Sequence, residues 1–285
     1  RFFSAEATAY LTKFVFYFAL SAMLFRFSAN LSLAEVWDSR LVAAYLWGTA
    51  FVYAIASLIG FLRGLDVATN GIEAQCAVIG NTGFLGVPML TLLLGPEAIG
   101  PVLLALTVDM IIFSSLIVIL ITGSREGQLR LATFKIVGLG LLKNPMIVAI
   151  TLGFLWSGFG IPIPVPLNEF LAILGGAATP GALFAIGASL ASKSAERIEI
   201  AGWLTFCKLV LHPLLVAFGA LFLFGVDPYK AGVIIATASL PVAGNVYMLA
   251  QHYGVAPQRV SAAILVSTTV SIVTVSLVVG WVSAL

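Results

Sequence analysis

Nine runs of apolar residues, most close to the length an α-helix needs to cross the roughly 30 Å hydrocarbon core of a bilayer, divide this chain. They fall near 10–28, 41–62, 72–94, 98–121, 136–158, 168–192, 200–224, 231–252 and 258–283. With 61% hydrophobic and only 9% charged residues among 285, the chain is too apolar for a water-soluble domain of this length. The fold class is therefore an all-α membrane protein, because in lipid a helix pairs its own backbone groups. The net charge is +2 and the basic residues stand singly between spans. That pattern excludes a nucleic-acid-binding face. Cys76 and Cys207 lie in or beside spans without metal-ligand spacing, so they read as small apolar packers.

Two spans are poor continuous helices. Gly80-Asn81-Thr82-Gly83-Phe84-Leu85-Gly86-Val87-Pro88 places three glycines and a proline mid-span, and Ser239-Leu240-Pro241-Val242-Ala243-Gly244-Asn245 interrupts a second span about 160 residues later. A break leaves backbone N–H and C=O groups unpaired, which lipid tolerates only where they are buried in protein or line a cavity. Paired interruptions in corresponding places point to the midplane site of an inverted-repeat transporter.

Four spans precede the polar connection at 122–135 and five follow it. The expected organisation is a first inverted repeat at 1–121, a cytoplasmic connection at 122–135 and a second repeat at 136–285. Both are built on a five-helix plan, with the first helix of the first repeat missing ahead of Arg1 and all five present in the second. With an odd number of spans per repeat, the halves insert oppositely. That arrangement puts Arg1, Lys13, Arg63, Arg125, Arg130, Lys135, Lys193, Arg197 and Arg259 on the cytoplasmic side. Arg26, Arg40 and Lys230 fall outside. Nine against three agrees with the positive-inside rule.

The run from Gly80 to Pro88, the Lys143-Asn144-Pro145 opening of the fifth span, and Leu240-Pro241 followed by Tyr247 and Ala250 resemble the auxin efflux carrier family. That family holds plant auxin exporters and bacterial carriers associated with malonate and related organic acids. The resemblance covers nearly all of the chain. It implies ten helices in two inverted five-helix repeats, similar to the fold of bile-acid symporters and sodium/proton antiporters. It also implies that the two broken helices cross at their breaks, that a mobile domain carries substrate past a dimerised scaffold, and that the protein is a homodimer. Gly80 stands where plant members have proline, and Ser21 where the family has a proline in its second helix. The connection between halves is short, as in bacterial members, which points to the bacterial inner membrane.

The chemistry expected of such breaks is anion binding, because half-helix N-termini present N–H groups and a partial positive charge. A small organic carboxylate is the natural substrate; no cofactor is expected. By match to the family motif Asn81 faces the substrate, with Gly80, Thr82, Pro241, Val242 and Asn245 around it; the competing reading of Asn81 is an amide that satisfies the kink. Asp109 lies about 11 residues from either end of its span. Burying its charge costs about 2.5–3.5 kcal/mol, so it is protonated, paired or lining a water-filled cavity. It is a candidate for substrate binding or proton coupling, against a plain interhelical hydrogen bond. Lys208 and His212 are further coupling candidates, with a snorkelling lysine and a backbone-capping imidazole as the blander readings; Lys143 also reads as a snorkelling lysine. Hydrolase and phosphate-loop motifs are absent, so no catalytic or metal-binding residue is expected. Beside the carboxylate carrier stand a cation/proton antiporter of the same fold, a passive channel and an intramembrane hydrolase.

Overall fold

In a computed structural model the described residues are 4–30, 37–126, 138–139, 142–178, 180–181, 184 and 198–283, with the side chains of Ala5, Met248, Gln251 and His252 excepted. Helices dominate. α1 (Glu6–Ala29), α2 (Ser39–Leu62), α5 (Pro96–Arg125), α8 (Ile198–Leu223) and α11 (Pro257–Val282) are each long and apolar enough to cross a membrane. The third expected span is split into α3 (Val67–Val78) and α4 (Thr82–Leu94), and the eighth into α9 (Pro228–Ala238) and α10 (Gly244–Tyr253). α6 (Pro145–Gly158) and α7 (Val165–Gly176) are shorter. Most of the expected 122–135 connection and of the 168–192 span beyond Gly176 lies outside the described residues, as do Arg1, Arg130, Lys135, Lys193 and Arg197.

Local chemistry places the starts of the helices. Asp38, Asp66, Asn144 and Asp227 accept backbone N–H bonds at 3.0–3.1 Å from the first turns of α2, α3, α6 and α9. Proline, which has no N–H to lose, opens α5, α6, α9 and α11. The Thr69 N–H holds the Asp66 carboxyl below the usual carboxylate range. The cap at Asp66 starts α3 five residues before the expected boundary at 72. Between α4 and α5 the chain reverses at Gly95, whose φ of 98° belongs to the region that favours glycine.

α1 packs chiefly on α6 and α7, while α2, α3, α4, α5 and α8–α11 pack on one another. Small residues bring helices close. A Cβ on Gly153 would stand 2.6 Å from the Ser28 Cβ, and one on Gly48 would strike the backbone of Val216 at 2.8 Å. The two groups meet at Gly83, where a Cβ would press on Met146 of α6 and approach Leu20 of α1. Ser21, in place of a proline, lets α1 run on after a π-helical turn at Val15–Ala19.

Large apolar side chains cover the outside, with Leu92, Ile173 and Phe222 all at least 75% exposed. Lys208, His212 and Asp109 lie inside, which is the distribution a lipid solvent selects. At one end of the larger group Glu73 of α3 is buried between Arg63 and Arg259, and Arg125 donates to the Tyr253 carbonyl. At another place Lys230 pairs with Asp38 at 3.0 Å.

Candidate functional site: the crossing of two broken helices

The breaks meet. Ile79 leaves the helix for extended backbone (φ −80°, ψ 110°), and Pro241 stands at the middle of the second break. The Asn81 N–H donates to the Pro241 carbonyl at 2.8 Å and the Ala243 N–H to the Ile79 carbonyl at 3.0 Å, setting Gly80 opposite Val242 in one antiparallel bridge. Each break thus supplies the partners that the other lost by leaving the helix, and neither group is stranded in an apolar interior. Antiparallel pairing also sets the N-terminus of α4 beside the end of α9. There a Cβ on Gly86 would lie 2.6 Å from Leu240.

Donors remain for a ligand. The N–H groups of Gly83 and Phe84 on α4, and of Gly244 and Asn245 on α10, have no hydrogen-bond partner among the described residues. The Asn81 side chain is 6% exposed and makes no capping bond to α4. Among the described residues Asn81 holds the kink through its backbone: its N–H reaches Pro241, and its carbonyl accepts from Leu85 and Gly86 at 3.0 Å. Asn245 turns toward α5, its Nδ2 3.9 Å from the Met110 sulfur and its Oδ1 buried without a partner. Thr82 is buried, and its hydroxyl points back to the Gly80 carbonyl at 3.5 Å, the edge of hydrogen-bond reach.

Behind the crossing runs a buried polar chain. Lys208 and His212 are 0% exposed and Asp109 1%. Asp109 opens a π-helical turn in α5, and Lys208 lies in another in α8; such turns add a residue and redirect the helix face, often at functional sites. Lys208 Nζ donates to the Ala238 carbonyl at the end of α9 and to His212 Nδ1 at 3.1 Å. His212 Nε2 lies 2.9 Å from the Thr49 hydroxyl, whose one proton goes to the Tyr45 carbonyl at 2.7 Å. The ring thus faces the Thr49 hydroxyl through Nε2 and the ammonium through Nδ1, with the Ala238 carbonyl as a further partner. The Tyr45 hydroxyl reaches both Asp109 oxygens at 3.1–3.2 Å.

The structure thus places Gly80, Asn81, Thr82, Pro241 and Val242 at one crossing and Asn245 in the turn that follows. Asp109, Lys208 and His212 are brought together behind it. One reading is corrected: Lys208 does not snorkel, because its helix face turns to the crossing and not to the surface. The His212 ring meets the Ala238 backbone carbonyl, as the capping reading expects, and its nitrogens also face Lys208 and Thr49. Lys143 is exposed just ahead of α6. Sequence reasoning missed Tyr45, Thr49 and Ser267. The Ser267 hydroxyl accepts from the Val242 N–H at 3.1 Å. Their only sequence signal is polarity inside apolar spans, which many helix-packing residues share.

A family model described as membrane transport protein matches residues 1–279. A protein of Rhizobium meliloti (strain 1021) bearing the name "Putative malonate transporter" is 32% identical over 279 residues, 95% of this chain and 86% of that protein. An "Uncharacterized transporter" of Methanothermobacter thermautotrophicus is 26% identical over 278 residues, 95% of this chain and 88% of its own length. Apolar helices of membrane-crossing length, a paired break in two of the spans and these whole-length matches converge: the chain is a multi-pass membrane protein that belongs to the membrane transport protein family, the auxin efflux carriers.

Proposed function

We propose that this transporter carries a small organic carboxylate, of which malonate is the first to test, by alternating access around the crossing. The observation that carries this reading is the set of unpaired N–H donors at the starts of α4 and α10, beside an Asn81 amide that the kink does not use. Such donors suit an anion without a full buried cation in the ligand's path. The name of the Rhizobium relative supports the substrate class.

The division into α1, α6 and α7 against the remaining helices supports a version in which the larger group moves as a body past the smaller one. The two inverted repeats (1–121 and 136–285), the cytoplasmic side of Arg63, Arg125 and Arg259, and the homodimer belong to the same proposal. Asp109, Lys208 and His212 are its coupling residues, and the ion they can supply is a proton.

The test is thermal unfolding of the purified protein with malonate, other dicarboxylates and indole-3-acetate. It is followed by uptake of the stabilising acid into proteoliposomes. A ligand that binds the folded state raises its stability by mass action. Stabilisation by one acid that disappears in Asn81→Ala, with saturable uptake, is the expected result. No response to any acid across pH sinks the carboxylate reading and favours a cation/proton antiporter. An Asp109→Asn variant with the wild-type pH profile removes proton coupling.

A further inference from the structure

Lys208 is the one buried lysine among the described residues, and it sits where a carrier built on broken helices holds its coupling cation. The end of a half-helix carries partial negative charge, and its freed carbonyls coordinate small cations. Ala238 is the last residue of α9, and its carbonyl accepts from the Lys208 ammonium. The other break is just as near: a Cβ on Gly80 would stand 3.3 Å from both Cε and Nζ of Lys208 and 3.4 Å from Leu240. Glycine leaves the space that the ammonium fills.

The surroundings are polar on every side of the ammonium. His212 Nδ1 faces Nζ at 3.1 Å, the Ala238 carbonyl accepts from it, and the Asp109 carboxyl, held by the Tyr45 hydroxyl, is the acidic group of the same buried cluster. We propose that the Lys208 ammonium is a built-in cation. It occupies the place at the crossing that a small monovalent cation would otherwise fill from solution, so that carboxylate binding requires no sodium. This rests on the carrier reading above for its consequence, but not for its test. A lysine that only stapled α8 to α9 would leave no cation-responsive site when removed.

The experiment is thermal unfolding of the purified wild type and of Lys208→Ala in choline chloride, titrated with sodium, lithium or ammonium chloride at constant ionic strength and without carboxylate. The wild type is expected to show no response. Lys208→Ala is expected to unfold earlier in choline and to recover by roughly 3 °C or more with a small cation. Lys208→Gln keeps the reach without the charge and carries the same test if the alanine variant does not fold; Lys208→Arg is expected to stay unresponsive. A wild type stabilised by sodium, or neutral variants indifferent to every cation, overturns the proposal. A parallel malonate titration separates the two ideas. A cation response in Lys208→Ala with no malonate response in the wild type removes the carboxylate reading and leaves the built-in cation standing. Malonate binding that depends on sodium in the wild type does the reverse.

Discussion

The two breaks at the crossing do the same backbone job with different support. The second is tied from both sides: Ala238 to Lys208 of α8, and Val242 to Ser267 of α11. The first, from Ile79 to Asn81, takes its cross-helix hydrogen bonds from the backbone of the second, and its one polar side chain makes none among the described residues. An interior that is expensive for polar groups leaves an amide idle only where something else pairs with it. In the proposed carrier the second break is the braced floor of the site, and the first presents the ligand-binding group.

The largest effect expected from that comparison is on the bracing. Asp109→Ala leaves the Lys208 ammonium without its counter-charge and is expected to cost about 3–5 kcal/mol, read as a large fall in unfolding temperature. Pairing it with Lys208→Met should restore part of the loss; a double variant no better than the worse single one breaks the charge-balance argument.

Ser267→Ala strands the Val242 N–H and is expected to cost about 1–3 kcal/mol of stability. A change indistinguishable from wild type means that the second break is not braced by α11.

Asn81→Ala tests the other half of the comparison. Stability is expected to hold within about 0.5 kcal/mol, since the side chain has no hydrogen-bond partner among the described residues. Malonate affinity is expected to fall about tenfold or more, equivalent to about 1.4 kcal/mol. Lost stability with unchanged affinity reverses the assignment of roles. The smallest effect belongs to Thr82→Val, which keeps the shape and gives up only the 3.5 Å contact to Gly80. Binding within about twofold of wild type is expected, equivalent to about 0.4 kcal/mol. A loss as large as that of Asn81→Ala puts the Thr82 hydroxyl on the substrate.

Much of the framework is written locally. Asp66, Asn144 and Asp227 cap helices that follow them, and prolines at 96, 145, 228 and 257 mark helix starts. The interruptions at 79–81 and 239–243 follow from glycine and proline chemistry, and so the place of Asn81 is legible. Lys208 was misread because counting residues from a helix end gives depth and not the face on which the side chain points. Tyr45 meets Asp109 across 64 positions, and Thr49 meets His212 across 163. No local rule spans such separations.

The sequence by itself determined that this chain lies in lipid, that its first, second, fourth, seventh and ninth spans are continuous, and that its third and eighth are broken; the fifth, expected from 136, is helical as α6 only from Pro145, where Asn144 caps it. Those outcomes depend on hydrophobic length and on the backbone chemistry of a few neighbouring residues. Tertiary structure decided that the breaks pair with each other, that a lysine ammonium lies against both, and that Asn81 is left unused by the fold. Hydrogen-bond partners and charge balance in a low-dielectric interior are set by side chains that meet only when distant helices pack.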